Sequence, residues 1–138
     1  MSSNGKEPNI LYVEDDPMSR EVVEMIFSDI MGFKNVVYFT DSANFIERVR
    51  ALPKVPDVFF LDVQVRPHNG YEMLRMLQDD KTYDGSIMVA MTASVMATDV
   101  EQLREVGFDG LIGKPVRQRI FPKLFEQILA REPVWFLP

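Results

Sequence analysis

The chain has 138 residues, about the length of one domain, and its 46% hydrophobic and 26% charged fractions are those of an ordinary globular protein. A net charge of −6 without a basic stripe argues against nucleic-acid binding and suits a divalent cation or a basic partner surface. The absence of cysteine excludes disulfides and thiolate metal sites, and no apolar run reaches the ~18 residues of a membrane span, so a cytoplasmic location is expected.

In chain order, residues 1–8 read as a polar leader lacking the apolar core of a signal peptide. Asn9 to Val13 is predicted as the first strand. Pro17 suits a first helical turn, and Val22, Val23, Met25, Ile26, Phe27, Ile30 and Met31 form a broad helical apolar face that Gly32 ends. Val36 to Phe39 is the second strand, and Thr40-Asp41-Ser42 is read as the cap of a helix carrying Phe45, Ile46, Val49 and Leu52. Pro53 and Pro56 close that helix, and Asp57 to Leu61 is the third strand. A loop through Pro67 and Gly70 leads to a helix with Tyr71, Met73, Leu74, Met76 and Leu77. Ser86 to Met91 is the fourth strand, followed by a weaker helix from about Ala97 to Val106. Gly107 and Gly110 bracket the turn into a fifth strand, Leu111 to Gly113, and a last helix carries Ile120, Leu124, Phe125, Ile128 and Leu129. Beyond Arg131, residues 132–138 form a short tail whose Val134, Trp135, Phe136 and Leu137 are expected to fold back onto the domain.

This is β-α repeated five times, and the almost continuously apolar strands indicate a parallel sheet covered on both faces. The predicted fold is α/β, flavodoxin-like and doubly wound: a (βα)5 domain of five strands in the order 2-1-3-4-5, with its core at about residues 9–131. In such a sheet the carboxyl ends of the strands open on one edge, where ligands bind. There the runs NILYV, DVFFL, IMVAM and GLIG deliver Glu14-Asp15, Asp62, Thr92 and Lys114-Pro115. Three carboxylates, a hydroxyl and an ammonium on one rim point to magnesium and phosphoryl chemistry. Clustered carboxylates repel one another until a cation relieves them, and a carboxylate attacks phosphorus to give an acyl phosphate. Each piece alone reads equally as a cap or a turn, so the joint placement carries the argument. Asp16 is expected to cap the first helix, and His68 to be a solvated loop residue.

The segments ILYVEDDPMSR, VFFLDVQ, MTAS and GKP resemble the receiver domain of two-component response regulators, over roughly Asn9 to Arg131. The separations fit as well: Gly70 lies eight residues after Asp62, Thr92 thirty after it, and Lys114 twenty-two further on. The resemblance implies a phosphoacceptor, Asp62, receiving a phosphoryl group from a histidine kinase or histidine phosphotransfer protein, with no turnover enzyme of its own. It implies a Mg2+ site of Asp15, Asp62 and the backbone carbonyl of Gln64, with Glu14 acting through water. Thr92 and Lys114 would contact the phosphoryl group, and Pro115 would follow a cis peptide bond. Output would be a downstream protein contact, or onward relay, through a face of the fourth helix, fifth strand and fifth helix that includes Val100, Arg104, Leu111 and Arg117. Self-association through that face or the tail is a further expectation.

Three positions depart from the family pattern: Leu111 stands where an aromatic usually does, Arg66-Pro67 shifts the usual loop proline by one, and Gln64 and Ser94 occupy positions that tune dephosphorylation. Rival readings are fewer in their support. An aspartyl-phosphate phosphatase generally needs an acid where Gln64 stands, and a flavin carrier needs a phosphate loop where EDDPMSR is acidic. The remaining alternative is a degenerate receiver that binds a partner without phosphorylation.

Overall fold

The computed structural model describes residues 7–93 and 96–137. A parallel sheet runs through it in the order β2-β1-β3-β4-β5-β6. The strands are β1 (Ile10–Val13), β2 (Val36–Phe39), β3 (Val58–Asp62), β4 (Ile87–Thr92), β5 (Gly110–Gly113) and β6 (Val134–Phe136). The helices are α1 (Pro17–Met25), α2 (Phe45–Arg50), α3 (Gly70–Gln78), α4 (Ala97–Val106) and α5 (Phe121–Leu129). The doubly wound fold is as predicted, with one correction. The tail does fold back, and it does so as a sixth strand parallel to β5, pairing Gly110 with Val134, Leu111 with Trp135 and Ile112 with Phe136. An edge strand leaves a row of unpaired backbone groups, and the apolar tail supplies their partners.

Strand alternation divides the core into two layers. Leu11, Val13, Phe59, Leu61, Met88, Ala90 and Leu111 face α2, α3 and α4, and Trp135 packs against this layer. Ile10, Tyr12, Val58, Phe60, Val89, Met91 and Ile112 face α1 and α5. On that second side Phe27 packs edge-on against Phe121 and Phe125, each with ring centroids 5.4 Å away. Each such fully buried side chain contributes roughly 1.5–3 kcal/mol of hydrophobic stabilisation. Phe27 belongs to a π-helical turn, Ile26–Ile30, that extends α1, and Gly32 then ends the helix at φ 72°, the left-handed region that favours glycine.

Two local expectations change. Thr40-Asp41-Ser42 does not cap α2, whose N-cap is Asn44 at φ 50°. Ser42 instead is fully buried and bridges to the loop after β3: its hydroxyl donates to the His68 carbonyl at 2.6 Å and accepts from the His68 N–H at 2.7 Å. Leu111 is fully buried, so it is not part of an exposed output face. Above it, Trp135 receives the Arg104 guanidinium at 4.5 Å from its ring centroid, which ties α4 to β6.

Candidate functional site

The site forms because β1, β3, β4 and β5 end on the same edge. Continuing the alternation of β1 and β3, Glu14 and Asp62 follow Tyr12 and Phe60 on the α1/α5 side of the sheet. Backbone hydrogen bonds fix the strand ends relative to one another: Val63 N donates to Met91 O at 2.9 Å, and Lys114 N to Thr92 O at 2.8 Å. Glu14, Asp62 and Thr92 are all buried, whereas Asp15 is exposed.

One carboxylate oxygen from each of Glu14, Asp15 and Asp62 lies within 4.8 Å of the others. That all-oxygen donor set, with one exposed member, fits a hard divalent cation such as Mg2+ that keeps several of its waters. Lys114 reaches the cluster from the β5–α5 turn, its Nζ 3.0 Å from Glu14 Oε1 and 3.5 Å from Asp62 Oδ1. Burial and the neighbouring Asp62 push the Glu14 carboxyl up to about 7, against the opposing pull of Lys114. Burial works against the charged form of Lys114, but Asp62 and Glu14 outweigh it and leave its pKa raised.

The supporting residues were only partly expected. Asp16 caps α1 as predicted, accepting from Ser19 N at 3.1 Å and Ser19 Oγ at 2.7 Å. Asp16 N in turn donates to Glu14 Oε2 at 3.3 Å, and Arg20 Nη1 to the Glu14 carbonyl at 2.9 Å. On the opposite side, Gln64 N donates to Asp62 Oδ1 at 3.2 Å. His68 enters through its backbone, held by Ser42, rather than through its ring. The peptide bonds Lys114-Pro115, as expected, and Arg66-Pro67 are both cis. Gly70 begins α3 so close to the end of β3 that a Cβ there would lie 2.8 Å from Val63 Cα. Asn69 caps the same helix in a reciprocal capping box with Glu72. Ser94 lies outside the described residues. The fixed place of Ser42 had no local signal, because its partner is 26 residues away.

The comparisons with known proteins agree with this geometry. The chain is 27% identical over 124 residues to the osmosensing histidine protein kinase SLN1 of Saccharomyces cerevisiae, an alignment covering 88% of the chain and 10% of the kinase. Across the curated relatives it matches, the chain spans from a tenth to little more than half of their length. Among solved structures, the chemotaxis response regulator CheY4 of Vibrio cholerae superposes with a TM-score of 0.78 at 19% identity, covering 89% of this chain and 99% of that one. The receiver domain of sensor histidine kinase PA1611 of Pseudomonas aeruginosa, solved with a magnesium ion coordinated in its active-site cleft, gives 0.76 at 19% identity over 91% and 99% of the two chains. At these identities the structural likeness speaks for the fold, and the family follows from the sequence itself. Residues 10–126 match the model of the response regulator receiver domain, and the chain belongs to that family.

Proposed function

We propose that the chain is a phosphorylation-controlled switch in which Asp62 accepts a phosphoryl group from a phosphohistidine on a histidine kinase or phosphotransfer protein. An Asp62 carboxylate oxygen attacks phosphorus, the new O–P bond forms as the P–N bond breaks, and the imidazole nitrogen leaves with the electron pair. The ligands we assign to Mg2+ are Glu14, Asp15, Asp62 and the Gln64 carbonyl, and the bound ion supplies positive charge against the phosphoryl oxygens. Lys114 serves as their second cationic partner, and the Thr92 hydroxyl as a hydrogen-bond donor. The aspartyl phosphate then biases two conformations, of which a downstream protein reads one.

The observation that carries this reading is the position of Lys114, one ammonium within 3.0 and 3.5 Å of two buried carboxylates at the sheet edge. Such an ammonium offsets part of the carboxylate charge and is in place to pair with a phosphoryl group on Asp62. An apolar face beside the site supports docking of a donor protein: Met18 is 75% exposed and Val22, one turn later on α1, is 38% exposed. Fluoroberyllate, which mimics a phosphoryl group on a carboxylate, tests the reading. With Mg2+ the wild type is expected to give a bound 19F resonance that Asp62→Ala lacks. A wild type with no bound resonance favours the alternative of a phosphorylation-independent interaction module. Self-association is checked in the same samples by light scattering, where an unchanged monomer mass with and without fluoroberyllate rejects it.

A further inference from the structure

Tyr12 stands out among the buried groups the phosphoryl chemistry leaves unused. It is fully buried on β1, two residues before Glu14 and on the same side of the sheet. Its ring is held among Tyr38, at 6.2 Å between centroids, and Phe60, at 6.0 Å, so the phenol has little freedom to move aside. Its hydroxyl is buried and has no hydrogen-bond partner among the described residues. The carboxylates that act on it are those of Glu14 and Asp62, and Glu14 is the one its hydroxyl addresses. It is therefore a proton donor facing acceptors. A core position of this kind is filled more cheaply by phenylalanine, because an unmade buried hydrogen bond is costly.

We infer that Tyr12 is a positioning residue for the metal site, donating from beneath to the Glu14 carboxylate and fixing its orientation when the cluster binds Mg2+. Glu14 accepts from Lys114 Nζ at 3.0 Å and from Asp16 N at 3.3 Å, and the Tyr12 hydroxyl beneath it makes no bond of hydrogen-bond geometry. Outer hydrogen bonds of this kind orient a ligand and tune the ion it holds. The arrangement separates two properties that usually fall together: the hydroxyl is a burden on the metal-free fold and an asset to the metal-bound one. The inference rests on the assignment of the acidic cluster to Mg2+.

Tyr12→Phe removes the hydroxyl and keeps the ring, and two measurements on the full chain test it. Calorimetric titration with MgCl2 is expected to give a dissociation constant about five- to tenfold weaker than wild type. Urea unfolding without Mg2+ is expected to give a midpoint equal to or above that of wild type. A variant that binds Mg2+ as tightly as wild type overturns the role of Tyr12 alone. A metal-free midpoint that falls also overturns it, because the hydroxyl is then a structural contact. A wild type with no saturable heat overturns the metal assignment, and the inference with it.

Discussion

Glu14 concentrates the electrostatics of the site in one side chain. Its carboxyl, pushed up to about 7 by burial and by Asp62, carries a proton in the metal-free protein across much of the weakly acidic range. As a proposed Mg2+ ligand it must give that proton up, so Mg2+ affinity is predicted to rise with pH towards a limit of tenfold per unit below about 7 and to level off above it. Calorimetric titrations between pH 5.5 and 8.5 measure this, and a flat profile contradicts it. The sign for stability is the reverse. Between the ordinary carboxyl value of 4.5 and about 7 the folded chain keeps a proton that the unfolded chain has released. Metal-free stability therefore falls as pH rises through that window. One oxygen of Asp15 lies within 4.8 Å of one from each of the two buried carboxylates, so Asp15→Asn is predicted to raise the metal-free urea midpoint while abolishing the increase that Mg2+ gives the wild type. A lower metal-free midpoint, or an intact Mg2+ response, counts against the cluster as a cation site. At this scale the sequence was readable where a residue ends an apolar run, as with Glu14, Asp62 and Lys114. It was unreadable for Ser42 and Tyr12, whose roles depend on neighbours that no local pattern specifies.

Among the elements, β6 is the departure that reshapes the molecule. Three residues are too few to announce a strand, and VWF stands behind a Glu-Pro pair, so local propensity supports a stub as well as a strand. The free edge of β5 decides the matter, and it exists only once the other strands have assembled. Gly110 makes the pairing close: a Cβ there would lie 2.8 Å from Val134 O. Gly110→Ala is therefore predicted to push β6 away, at a cost on the order of 1–3 kcal/mol. Trp135 is the sole tryptophan, so its emission should shift to the red in this variant, and an unchanged spectrum with unchanged stability contradicts the pairing. Burial of Leu111 under α4 and the stacking of Arg104 on Trp135 have a joint consequence. The aromatic surface beside α4 comes from the neighbouring strand rather than from β5 itself. The spacing of Gly70 from Asp62, by contrast, was legible, because the close approach of α3 to the end of β3 leaves no room for a side chain.

For the whole molecule, the order of strands places chemistry that lies a hundred residues apart in sequence within hydrogen-bond distance, as the contact between Lys114 and Glu14 shows. That placement follows from the repeated β-α pattern, since right-handed crossovers in a doubly wound sheet bring every strand's carboxyl end to one side. No helix among the described residues is long and apolar enough to cross a membrane. The central claim is that this edge performs Mg2+-dependent phosphoryl transfer to Asp62. Intact mass after incubation with phosphoramidate, whose P–N bond resembles that of a phosphohistidine, tests it most directly. The account predicts one added phosphoryl group in wild type with Mg2+, and none without Mg2+ or in Asp62→Ala. An adduct that persists in Asp62→Ala, or that forms equally without the metal, would contradict it.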